Sequence, residues 1–88
     1  MMRRGIMFFD FGKQEWNIWI GQQAYEIVQG MSVEIRIQNR YFRTCMEKDS
    51  PDWLITIENE VTFTLSLFEV YRVRVLQMDL IPAFNLPF

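Results

Sequence analysis

Histidine is absent from this 88-residue sequence, and cysteine occurs once, at Cys45. An intrachain disulfide is thereby excluded, and a Cys/His zinc centre lacks its ligands. The same absence removes the commonest general base, leaving lysine or a carboxylate to activate any nucleophile. No apolar run approaches the roughly 18 to 20 residues that a membrane-spanning helix needs. Met1-Met2-Arg3-Arg4 has the charge of a signal-peptide n-region, but the apolar stretch after it meets Asp10 too soon to be an h-region. The expected setting is the cytoplasm, with no membrane contact.

Strong charge of either sign is also missing. Nine basic and eleven acidic side chains leave a net charge of −2, so no global cationic field draws nucleic acid or anionic lipid. Apart from Lys13 and Lys48 the basic residues are all arginine, the side chain suited to planar, bidentate or stacked contacts.

Apolar and aromatic residues, in contrast, are plentiful. Half of the chain is hydrophobic and 16% is aromatic, which supports a real core and excludes disorder. The length fits one domain. Its pattern has period two, and no helical stripe of useful length occurs. Ile6 to Phe11 is a first apolar run. In Trp16 to Ile20, Trp16, Ile18 and Ile20 share one face and Asn17 and Trp19 the other. Tyr25 to Val28 is a short apolar element.

Ser32 to Gln38 alternates most cleanly, with Val33, Ile35 and Ile37 inward and Glu34 and Arg36 outward. Asn39-Arg40 suits a tight turn into a partner strand, Tyr41 to Met46. Glu47 to Asp52 reads as a polar loop whose turn Pro51 fixes. Trp53 to Glu58 and Val61 to Leu67 form a hairpin around Asn59, and a 3₁₀ turn over Ser66 to Glu69 precedes a last strand. That strand, Val70 to Leu76, has Tyr71, Val73 and Val75 inward and Arg72 and Arg74 outward.

Turn signals every eight to twelve residues predict an all-β domain. At this length the expectation is a small SH3-like barrel of five to six strands, built from antiparallel hairpins and spanning residues 1–76. Residues 77–88 form an apolar, proline-containing tail. Its prolines forbid a helix, and its large apolar side chains need a surface, either on its own barrel or on a second subunit.

Several stretches carry a resemblance. Tyr25-Glu26-Ile27-Val28-Gln29-Gly30, Val33-Glu34-Ile35-Arg36-Ile37, Asp52-Trp53-Leu54 and Tyr71-Arg72-Val73-Arg74-Val75 are correctly spaced for one small domain-of-unknown-function family. Its members show YEL-x-x-G, LEI, an aromatic strand ending in RIE, DWYL and a closing VRI. The sequence resembles it from about Ile6 to Val75, with Tyr41 or Phe42 in place of the family's Trp and Cys45-Met46-Glu47 in place of RIE. The resemblance implies a Gram-positive bacterial origin and a place in conjugative elements or prophages. It carries over no site residue.

The sequence therefore points to no catalytic residue, no cofactor and no metal ligand set. Cys45 is expected to fill a small apolar space. Carboxylate pairs such as Glu58 and Glu60, or Asp49 and Asp52, flank turns where solvation is the ordinary state, and the 47–52 loop lacks the ligand spacing of an EF-hand. Two binding surfaces remain. An aromatic surface of Trp16, Trp19, Tyr25, Tyr41 and Trp53, joined by Phe84 and Phe88 of the tail, would serve a non-enzymatic protein-interaction module, docking an unidentified protein or a second copy through the tail. The alternative is a nucleic-acid face of Arg36, Arg43, Arg72 and Arg74. Cross-strand pairing with Glu34, Glu47, Glu58 and Glu69 is the structural explanation of those arginines, and the matched numbers favour it.

Overall fold

The computed structural model describes residues 1–49 and 52–83. Eight strands follow in chain order: β1 (Met2–Asp10), β2 (Glu15–Ile20), β3 (Gln23–Glu26), β4 (Ser32–Ile37), β5 (Arg40–Asp49), β6 (Asp52–Ile57), β7 (Val61–Thr64) and β8 (Tyr71–Leu76). All pair antiparallel in one sheet of spatial order β3-β2-β1-β8-β4-β5-β6-β7. Two meanders, β1 to β3 and β4 to β7, lie on either side of β8, which pairs with β1 on one flank and β4 on the other.

The all-β expectation therefore holds, with two corrections to the barrel of five to six strands. There are eight strands, and among the described residues the end strands β3 and β7 do not pair, so the sheet is open. Each of the eight overlaps a run already read in the sequence, and β1 and β5 reach beyond theirs into polar segments. Met2, Arg3 and Arg4 extend β1 backward because β8 supplies partners as far as Leu76. Glu47, Lys48 and Asp49 extend β5 because β6 runs antiparallel beside them, up to the Asp49–Asp52 pair. Of the polar loop expected over 47–52, Glu47 to Asp49 and Asp52 are strand, and the turn expected of Pro51 lies outside the described residues.

One inner face carries the core. Registered rows place Met7 between Ile18 and Tyr71, Val73 between Gly5 and Ile35, and Met46 opposite Ile55. Met7, Ile18, Val33, Ile35, Met46, Ile55, Val73 and Val75 are all fully buried, and they form one cluster. That cluster unites β2 with β5 and β6 from the other half of the strand order, so the sheet rolls around it. Ile27, Met31 and Leu65 lie outside strands yet are buried, so loops complete the shell where strand pairing does not. Burying each such side chain contributes about 1.5–3 kcal/mol.

Two local features make the roll feasible. At Gly5 a Cβ would lie 2.5 Å from the Trp19 carbonyl oxygen and 2.9 Å from Ile20 Cγ1, so only glycine lets β2 coil this closely over β1. Thr44, the buried polar residue on the inner face of β5, donates its hydroxyl to the Val33 carbonyl at 2.6 Å and leaves no unpaired group behind.

The described part of the tail folds back on its own sheet. A single 3₁₀ turn (Gln77–Asp79) follows β8, and Leu80 packs against the core. Glu26 N then donates to Ile81 O at 2.7 Å and Ala83 N to Ala24 O at 3.0 Å, with Tyr25 bridged to Pro82. Residues 81–83 thus cover the outer edge of β3. Phe84 and Phe88 lie outside the described residues. Ser66 and Glu69 make the expected tight turn, Glu69 N to Ser66 O at 3.2 Å, and β7 ends earlier than expected, at Thr64. No helix is long and apolar enough to cross a membrane.

Candidate binding face on the outside of the sheet

Strand alternation that sends Val73 and Ile35 inward sends their neighbours outward, and on four adjacent strands those neighbours are arginines. Across β1, β8, β4 and β5 one row reads Arg4, Arg74, Glu34, Arg43 in direct register. In the next, Ile6 lies opposite Trp19 on one side and Arg72 on the other, while Arg36 lies opposite Tyr41. Five guanidiniums thus share this part of the outer face with Glu34. Arg4 joins the four predicted arginines because β1 begins earlier than its apolar run; the signal was there in the alternation carried back from Ile6.

Only one of the five is neutralised by an acid. Arg74 donates Nε to Glu34 Oε1 at 2.9 Å and Nη2 to the same oxygen, the one salt bridge among the described residues. Its guanidinium also stacks on Tyr41, 4.1 Å from the ring centroid. Arg36 is held in place by neutral acceptors, the Gln38 carbonyl at 3.0 Å and Asn39 Oδ1 at 3.3 Å, so it keeps its full charge. Arg4, Arg43 and Arg72 are exposed, and their side chains make no hydrogen bond to the described residues. The expected ladder with Glu34, Glu47, Glu58 and Glu69 therefore shrinks to a single pair. Arg43 lines a shallow hollow of about 390 Å³ with Glu34, Tyr41, Glu58 and Asn59.

Beside the arginines lies an aromatic platform. Phe8 and Trp19 are half-buried and stack with ring centroids 6.4 Å apart and planes 11° apart. In the sequence, Trp19 belongs to an aromatic surface expected to serve protein interaction; Phe8 is hidden there inside an apolar run that reads equally well as core.

The structure separates the other candidate aromatics. Trp16 is 3% exposed and packs in the core beside Tyr71. Tyr25 and Trp53 lean on the core from the inner face, and Tyr41 lies under Arg74. Cys45 faces outward between Ser32 and Thr56, half-buried, and does not fill the apolar space expected of it.

A separate cleft of about 580 Å³ opens between the two halves of the strand order, lined by Trp16 and Trp53 and by Glu15, Glu26, Lys48 and Asp52. Its wall is of mixed charge, and Lys48 lies over Trp53 with Nζ 5.9 Å from the ring centroid. The outer face is the more coherent site: one chemistry, on four paired strands, with a stacking surface at its margin.

No curated protein and no solved structure matches the chain. A family model does, that of the Domain of unknown function (DUF5348), over residues 5–75. The matched stretch runs from the glycine that lets β1 and β2 coil to Val75 of β8, so it holds all eight strands apart from the start of β1 and Leu76. By that match the chain belongs to the DUF5348 family.

Proposed function

We propose that this chain is a non-enzymatic binding module whose outer sheet face takes single-stranded nucleic acid. One observation carries the reading: five arginines on four adjacent strands, of which a single one is paired with an acid among the described residues, in a protein whose net charge is −2. Arg4, Arg36, Arg43 and Arg72 would contact phosphates, and the Phe8–Trp19 platform would stack a base, a contact that any base can make. The rolled sheet serves as an opened version of an SH3-like barrel. A cytoplasmic setting, within a conjugative element or prophage of a Gram-positive bacterium, would bring single strands within reach.

Titration of the full chain with labelled single-stranded and duplex oligonucleotides, at several salt concentrations, tests this. Single strands should bind and quench Trp19. The logarithm of the affinity should fall with the logarithm of salt at a slope of roughly −2 to −3, since each neutralised phosphate contributes about 0.7. Arg43→Ser with Arg72→Ser should weaken binding and flatten that slope. Absence of binding at low salt would end the reading.

A second reading, protein interaction, is favoured by a different observation. Phe11 and Phe68 are both more than half exposed and lie against each other, ring centroids 5.9 Å apart. Paired exposed aromatics are a surface feature that partners use. If that is their role, native co-purification should recover a partner with the natural chain and lose it with Phe68→Ser.

A further inference from the structure

The two ends of the sheet are finished differently. β3 is covered by the chain's own residues 81–83, whereas among the described residues nothing pairs with the outer side of β7. We infer that β7 is a pairing edge for a second copy of this chain, joined antiparallel about a two-fold axis through Phe63.

The phase of the hydrogen bonds decides what β7 offers. Leu65 N donates to Trp53 O at 2.9 Å, which makes that pair a hydrogen-bonded one. Bonded and non-bonded pairs alternate along an antiparallel ladder, so Phe63 and Val61 turn their main chains toward β6. Thr62 and Thr64 turn theirs away, into open space. The Thr56–Thr62 hydroxyl contact at 2.9 Å fits that phase, because side chains approach most closely at non-bonded pairs. Apart from its shortness, four residues, β7 carries none of the usual protection of an edge. Val61-Thr62-Phe63-Thr64 has no charge, no proline and no bulge, and Val61 and Phe63 are exposed.

The second copy, and not an unrelated strand, is indicated by self-complementarity. About an axis through Phe63, Thr62 lies opposite the partner's Thr64 at hydrogen-bonded positions on both sides. Phe63 then meets the partner's Phe63 at a non-bonded position, where side chains are closest. Glu60 falls opposite the partner's Ser66, so no carboxylates confront each other. The inner faces of both copies stay on the same side. One free edge per chain among the described residues closes the assembly as a pair, where two would have propagated a fibre.

Sedimentation of the full chain at rising concentration, from roughly micromolar to near millimolar, reads the result directly. Monomer should give way to dimer and nothing larger, without dependence on salt. Thr64→Pro deletes an N–H that points away from β6, so it should weaken dimerisation at least tenfold while the circular dichroism spectrum is retained. Phe63→Lys, which sets two cations face to face, should do the same, and it decides the matter if the proline variant fails to fold. A chain that stays monomeric throughout, that grows into larger species, or whose dimer survives both substitutions would overturn the inference.

Discussion

Glu34 lies between Arg74 and Arg43 in register and is the carboxylate that pairs with an arginine of the outer face. Its pair with Arg74 is about a third exposed on the arginine side, so it is worth about 0–1 kcal/mol of stability. Its larger effect is on charge. Glu34→Gln should therefore strengthen oligonucleotide binding about two- to fivefold at low salt, with the gain disappearing as salt screens it. A gain that persists at high salt would point to a different cause. Gly5 is the opposite case, a residue whose role is steric. Gly5→Ala drives a methyl group into the Trp19 carbonyl, which cannot yield without uncoiling β1 from β2, and should cost about 1–3 kcal/mol by urea denaturation. Nothing in the sequence around Gly5 announces this, because the clash depends on a neighbouring strand whose path is fixed only in the fold.

At the scale of the element, the β6–β7 hairpin is the clearest target. Glu58 and Asn59 both have positive φ, 49° and 62°, and Glu60 N closes the turn on Ile57 O at 2.9 Å. That is the two-residue turn that favours Asn-Gly, and a glutamate occupies its first position at a steric cost. Glu58→Asn with Asn59→Gly should raise stability by about 1 kcal/mol, read as a higher urea midpoint at unchanged slope. The strands themselves were legible wherever inward and outward residues alternate without interruption. β4 and β8 declare their faces outright, and the structure places Val33, Ile35, Val73 and Val75 where that alternation puts them. Legibility failed where polar residues sit in a strand because a neighbour is there to pair with them, as at Arg3 and Arg4 of β1 or Glu47 to Asp49 of β5. It failed at the tail for a related reason. Pro82 disqualifies its segment as a central strand, yet an edge cover needs only the flanking Ile81 O and Ala83 N to form bonds.

For the whole molecule, period two reveals which way a side chain points and not which strands become neighbours. An all-β domain was therefore readable, while the placement of β8 between two meanders and the opening between β3 and β7 were not. The same limit explains the site. Each arginine could be read as outward, but whether a glutamate met it depended on strand order, and among the described residues that order gives Arg74 an acidic partner and gives Arg43 and Arg72 none. Charge segregation is thus a property of the assembled sheet and invisible in a net charge of −2.

The most direct measurement of this account is the salt dependence of single-stranded oligonucleotide binding by the natural chain beside the Arg43→Ser, Arg72→Ser double variant. The account predicts binding at low salt that falls steeply as salt rises, and a variant that binds more weakly with a slope flatter by roughly 1 to 1.4. Equal affinities and equal slopes for the two proteins would contradict it.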